Sequence, residues 1–209
     1  MKIALLNGSP KVQNSASGAL LEDLKRYITE KADVVNYSLH RPVISETVLE
    51  ELQKADAWVF AFPLYVDGIP GHLLSCLRQL EKVALQNPNR HIYGIVNLGF
   101  YEGIQAEYAL QILRNWCVKT GYVWSGGIGV GGGGSLAMMP SAEQGKGPKA
   151  PVDKALAVLS DKILKLETCE NAYVSVAFPR FLYKMAAQMG WRQCIKQNGG
   201  KKKDLGRKL

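Results

Sequence analysis

The chain has 209 residues, 47% of them hydrophobic and 21% charged, with a formal net charge of +8 and a mean hydropathy of −0.07. A chain of this size closes one core that buries roughly 70% of its unfolded surface, so neither a disulfide scaffold nor a structural metal is required. No apolar run approaches the ~20 residues that span a bilayer, and the Met-Lys start leads straight into a short apolar run, so neither export nor insertion is expected and a cytoplasmic protein is.

The first apolar run, residues 3–6, opens into Asn7-Gly8-Ser9-Pro10-Lys11-Val12-Gln13-Asn14-Ser15-Ala16-Ser17-Gly18. Leu20, Leu21, Leu24 and Ile28 follow at helical spacing and predict a helix over 15–31. Small and hydroxyl residues cluster where that helix begins. Free backbone N–H groups and the helix dipole favour an anion there, although any single serine reads equally well as an ordinary N-cap. The loop lacks the G-K-[ST] ending of a nucleotide-triphosphate loop.

A second strand is expected at 34–37, a helix at 45–55 and a third strand at 57–62. The third strand runs into Pro63-Leu64-Tyr65-Val66-Asp67-Gly68-Ile69-Pro70-Gly71. Pro70 suits a helix start, and Leu73, Leu74, Leu77, Leu80 and Val83 extend a helix to about 86. A fourth strand at 92–98 opens into Gly99-Phe100-Tyr101-Glu102-Gly103, followed by a helix over 103–120 and a fifth strand at 122–130. Both loops set aromatic residues among glycines or prolines at the carboxyl end of a strand. That composition suits a flat conjugated ring, or aromatic side chains that merely cap the sheet.

Residues 126–151 are rich in Gly, Pro, Ser and Lys and read as a long loop, preferably a flexible connector, before a helix at 152–168. Gly129-Val130-Gly131-Gly132-Gly133-Gly134 matches G-x-G-x-x-G only formally, because that fingerprint belongs after the first strand of a βαβ unit. The runs lack polar alternation, which predicts strands buried on both faces of a parallel sheet. The expected fold is a doubly wound, five-stranded α/β domain of order 2-1-3-4-5 over residues 1–170, with a C-terminal extension at 171–209.

In that extension Phe178, Phe181, Leu182, Met185 and Met189 form an apolar stripe from Pro179 to a stop at Asn198-Gly199-Gly200. Residues 178–209 also hold nine basic residues and one acid, leaving 17 of each sign in the first 177 residues. The body is therefore neutral. The appended amphipathic helix can dock on the body or on a second subunit, or lie as a peripheral contact on an anionic membrane. A specific nucleic-acid partner is not expected.

His40, His72 and His91 lie on separate elements, and Cys76, Cys117, Cys169 and Cys194 form no compact cluster. No metal site is expected.

The pairing of Gly8-Ser9-Pro10-Lys11 through Asn14-Ser15 with Pro63-Leu64-Tyr65 through Ile69-Pro70-Gly71 resembles the NAD(P)H-dependent FMN reductase-like flavoproteins of the flavodoxin-like superfamily. The likeness covers residues 1 to about 168. It implies that Ser9, Asn14, Ser15, Ala16 and Ser17 hold the FMN phosphate, and that Pro63, Leu64, Tyr65, Val66, Gly99, Phe100, Tyr101 and Glu102 hold the ring. Ser15 stands where the family commonly has threonine. The implied activity is FMN-dependent hydride transfer from NADH or NADPH to a small electron acceptor such as a quinone or flavin, in a homo-oligomer. The alternative is a flavin-binding electron carrier without its own NAD(P)H activity.

Overall fold

The structure is a computed structural model that describes residues 1–82, 89–133, 145–201 and 204. Six strands form one parallel sheet: β1 Lys2–Asn7, β2 Asp33–Ser38, β3 Ala57–Pro63, β4 His91–Asn97, β5 Val123–Gly131 and β6 Ala172–Ser175. Their order is β2-β1-β3-β4-β5-β6. The expected five-strand order is present and is continued by a sixth strand, so the count of five is corrected. β6 pairs with β5 from Ile128↔Ala172 to Gly131↔Ser175, inside the stretch assigned from sequence to the extension.

The crossovers are α1 Ala16–Ile28, α2 Glu46–Gln53, α3 Gly71–Leu80, α4 Glu107–Thr120 and α5 Ala150–Lys165, and α6 is Arg180–Gln197. A 3-10 turn, Gly103–Ala106, leads into α4. Met1–Val176 forms one compact unit and Ala177–Leu209 a second. The expectations for Val83 and residues 84–86, for the connector residues 134–144, and for Lys202, Lys203, Arg207 and Lys208 lie outside the described residues.

β3, Ala-Trp-Val-Phe-Ala-Phe-Pro, is buried along its length up to Pro63. Because alternate residues face opposite sides, Trp58, Phe60 and Phe62 join Ala4, Leu6, Ile92 and Val96 in a core roofed by α3 and α4. Trp58 and Tyr122 meet edge-on at 5.2 Å, and Phe60 and Trp116 at 6.0 Å. Val59, Ala61, Ile3 and Leu5 face the other way and are equally buried.

The amino-terminal edge of the sheet is closed by Arg90, which is only 1% exposed. Its guanidinium carbon lies 4.3 Å from the Trp58 ring centroid, while Nε donates to Ala55 O at 2.9 Å and Nη2 to Gln53 O at 2.7 Å. Burial pulls this arginine below its usual pKa.

Candidate functional site

Three loops meet at the carboxyl ends of β1, β3 and β4, and two asparagines tie them together. Asn7, the last residue of β1, accepts from Ser9 N through Oδ1 at 3.1 Å and donates from Nδ2 to Ser15 Oγ at 3.3 Å. Gly8 then bonds from N to Ala61 O at 2.8 Å, holding the loop against β3. A Cβ at Gly8 would fall 2.6 Å from Leu73 Cδ2, so α3 packs only against a bare backbone here.

Ser15 caps α1, its Oγ accepting from Gly18 N at 3.0 Å. With both lone pairs engaged, by Asn7 and by Gly18, its hydroxyl hydrogen is left to donate outward. Helix geometry also leaves the amides of Ala16 and Ser17 without an intrahelical acceptor. Asn14 precedes the cap at φ +51, in the left-handed region, and its carbonyl accepts from Lys11 Nζ at 3.2 Å. Ser9 is buried and accepts from Lys11 N at 3.2 Å. The Ser15 hydroxyl, two open amides and the positive end of α1 lie together at the start of the helix, and this is the chemistry of an anion site.

Ser17 differs from the other serines. Like Ser9 and Ser15 it is buried, but its hydroxyl donates to Asn97 Oδ1 at 2.6 Å, so only its amide remains for a ligand. Asn97, the last residue of β4, also accepts from Leu64 N through its carbonyl at 2.8 Å. One residue thus joins the α1 start to the β3 loop. His72 Nε2 lies 3.1 Å from Gly8 O, a contact that requires Nε2 to carry the proton.

In the β3 loop Tyr65 and Gly68 exchange backbone hydrogen bonds of 3.1 and 3.0 Å around Val66 at φ +47 and Asp67 at φ +57. This is a type I′ turn built without glycine or asparagine at its first central position. A β-branched residue in the left-handed region is strained by about 1–2 kcal/mol. Val66 is fully exposed at the turn tip and Tyr65 is half exposed. Pro63 and Leu64 are half-buried at the strand end.

In the β4 loop Phe100 is 60% exposed and Gly99 is exposed, whereas Tyr101 and Glu102 are partly buried. Its backbone is clamped to the end of β5 by Leu98 N to Val130 O at 3.0 Å, Gly132 N to Phe100 O at 2.6 Å and Gly133 N to Leu98 O at 2.7 Å. A Cβ on Gly131 would collide with Tyr101 O, and one on Gly129 with Gly103 O. The fifth strand expected at 122–130 is present as Val123–Gly131, so the overlapping reading of residues 126–131 as the start of a flexible connector is corrected: they are buried strand, and their glycines let the 99–103 backbone lie directly on β5.

The structure therefore brings Ser9, Asn14, Ser15, Ala16, Ser17, Pro63, Leu64, Tyr65, Val66, Gly99, Phe100, Tyr101 and Glu102 to one edge of the sheet. Asn7, Asn97 and His72 were not singled out from sequence. A polar residue ending an otherwise apolar strand is the signal that marks both asparagines. A separate hollow of about 710 Å³, lined by Tyr27, Ala150, Pro151, Asp153 and Lys154, contains none of these residues. The buried thiols offer no nucleophile, since burial pushes Cys76 up to about 11 and Cys117 higher still.

No protein-family model matches the chain, and no curated protein sequence matches it. Solved structures do. A flavodoxin, WrbA-like protein from Agrobacterium tumefaciens is similar over 80% of this chain and 98% of its own, with 15% identity and a TM-score of 0.55. The chain has the flavodoxin-like fold. An NADPH-quinone reductase from P. pentosaceus is similar over 78% of this chain and 98% of its own, at 16% identity and a TM-score of 0.52. An azoreductase from Bacillus anthracis is similar over 79% and 99%, at 16% identity and a TM-score of 0.50. In a flavodoxin-like sheet the order reverses between β1 and β3, and the three loops described above flank that crevice, where open α/β sheets bind ligands.

Proposed function

We propose that the chain is an FMN-dependent oxidoreductase that accepts hydride from NADH or NADPH and passes electrons to a small acceptor. The observation that carries this is the Asn7 and Asn97 network, which sets an anion site at the start of α1 beside the exposed rings of Tyr65 and Phe100. The residues present fit FMN: a terminal phosphate meets the Ser15 hydroxyl and the amides of Ala16 and Ser17, while a flat ring meets the β3 and β4 loops. Bound flavin would supply the hydride and electron chemistry.

The chain's own groups do the rest. Ser9, Asn14 and Ser15 shape the phosphate site and the Ser15 hydroxyl donates to it, while the positive end of α1 supplies the favourable field. Pro63, Leu64, Tyr65 and Val66 form one wall, and Gly99 through Glu102 another. The β3 and β4 loop backbones would supply donors to negative charge on a bound ring. The NADPH-quinone reductase and the azoreductase, as named, support the reading as an enzyme. A cytoplasmic setting and assembly into a homo-oligomer belong to the same proposal. Among the described residues no helix is long and apolar enough to cross a membrane.

The test is steady-state oxidation of NADH and NADPH by the FMN-loaded protein with a quinone as acceptor. Turnover supports the enzyme reading. Bound flavin without turnover supports the electron carrier instead. Tyr65→Ala should shift the visible flavin spectrum or weaken FMN without unfolding the chain, and an unchanged spectrum and affinity would return Tyr65 to a capping role.

A further inference from the structure

α6 differs from the other described helices in its burial and its charge. None of its 18 residues is buried. It carries Arg180, Lys184, Arg192 and Lys196 and not one acid. The one acid of the C-terminal unit, Asp204, is engaged through Oδ2 by Lys201 N at 2.6 Å.

At about 100° per residue, the side chains of α6 sort into two halves. One half holds all four bases together with Phe181, Met185, Met189 and Trp191, which are 65%, 56%, 65% and 71% exposed. Phe181, Met185 and Met189 form an i, i+4, i+8 row, and Lys184, Gln188 and Arg192 form the adjacent row. Together these six line a groove of about 500 Å³. The other half holds Leu182, Tyr183, Ala186, Ala187, Gly190, Gln193 and Cys194. This is not the usual division into an apolar and a charged face, because bases and large apolar groups share one face.

That mixture selects the occupant. Nucleic acid offers anions but no hydrocarbon for Met185 and Met189, and an apolar protein groove offers nothing to Lys184, Arg192 and Lys196. An anionic lipid surface offers both within a few ångströms. Aromatic and Met side chains enter the acyl boundary, tryptophan sits at head-group level, and long basic side chains reach back to the phosphates. The unit's charge of nine bases against one acid, attached to a neutral body, supplies the attraction. We infer that the Phe181, Met185, Met189 and Trp191 face of α6, with its four bases, binds the surface of an anionic membrane.

The test uses the full chain and extruded vesicles. It should sediment with phosphatidylcholine vesicles containing phosphatidylglycerol, fail to do so with phosphatidylcholine alone, and be released by salt. Tryptophan emission reports the face directly. Trp58 and Trp116 are buried and Trp124 is half-buried, so a blue shift on binding belongs to Trp191 and should vanish in Trp191→Phe. Replacing Lys184 and Arg192 with Gln should weaken binding by about 30-fold, at roughly 1 kcal/mol per base. Since no α6 residue is buried, these variants should melt like the parent.

Three results would overturn the inference. The first is no sedimentation with anionic vesicles at low salt. The second is sedimentation with Trp191 emission unmoved, which would mean charge contact without this face. The third is duplex DNA stripping the chain from vesicles at equal charge concentration. None of these readouts requires flavin, so they are independent of the proposed enzymatic reading.

Discussion

The two ends of the sheet are built by opposite rules from the same strands. At the amino end Arg90 is sealed between Trp58 and Tyr122, and its donors are spent on carbonyls of the chain. At the carboxyl end donors are aimed outward, aromatic rings are left exposed, and Val66 is held in a backbone region that costs energy. One end spends its polar groups on itself and the other holds them for something else. Leu166 is also left-handed, at φ +53, but there it ends α5 as a helix cap, whereas Val66 is an exposed β-branched residue in a turn beside the open amides, where a ligand is expected.

Breaking the amino end should cost the most stability and the least binding. Arg90→Met leaves the Ala55 and Gln53 carbonyls short of donors and the aromatic cage poorly filled, a loss of about 3–5 kcal/mol in urea unfolding. FMN affinity of the folded fraction should not move. A matching loss of affinity would mean that the two ends are coupled.

Ser15→Asp reverses that pattern. Aspartate caps a helix as well as serine, so the melting temperature should hold. A carboxylate against the phosphate should nevertheless cost several kcal/mol of binding, about 100-fold or more in FMN affinity. Unchanged affinity would remove Ser15 from the phosphate site.

Val66→Asn sharpens the contrast in strain. Asparagine tolerates the left-handed region and suits a type I′ turn, so about 1 kcal/mol should be recovered, raising the melting temperature by about 2–4 °C. A lower melting temperature would show that the Val66 side chain is held by contacts outweighing the strain.

The smallest effect is acid dependence at the amino end. Burial holds His91 below its usual pKa while its Nδ1 lies 2.8 Å from Ser125 Oγ. The unfolded chain, titrating near 6.5, then binds the proton first. Stability is therefore complete above about pH 6.5 and declines as the pH falls below it towards the folded-state value. His91→Gln should flatten this slope in urea midpoints compared across that range, and an unchanged slope would assign it to other groups.

The same contrast explains what the sequence could carry. Strands β1, β3, β4 and β5 are mostly buried on both faces, and such apolar runs are legible one at a time, whereas β2, Asp-Val-Val-Asn-Tyr-Ser at the sheet edge, has no buried residue and departs from the expectation of strands covered on both faces. β6 is four residues at the sheet edge, Ala-Tyr-Val-Ser, of which Ala172 is exposed and the other three half-buried, too short to stand out from the extension that follows it. The loops announced themselves by composition, since serines before a helix and aromatics among glycines are local signals. Asn97 did not, because its partners Ser17 and Leu64 lie far away in sequence and meet it only once β1, β3 and β4 are side by side. The direction of the Ser17 hydroxyl was hidden for the same reason. The glycine run misled because glycine marks both flexible loops and close backbone packing, and only the neighbouring Tyr101 and Gly103 backbone tells them apart.

The claim that the carboxyl edge is a phosphate-anchored flavin site is tested most directly by titrating the full-length protein with FMN and with riboflavin in parallel, following flavin fluorescence. Charge-assisted hydrogen bonds of about 1.5–3 kcal/mol each, from Ser15 and the amides at the start of α1, should make FMN bind at least about 100-fold more tightly. Equal affinity for the two, or binding of neither, would contradict the account.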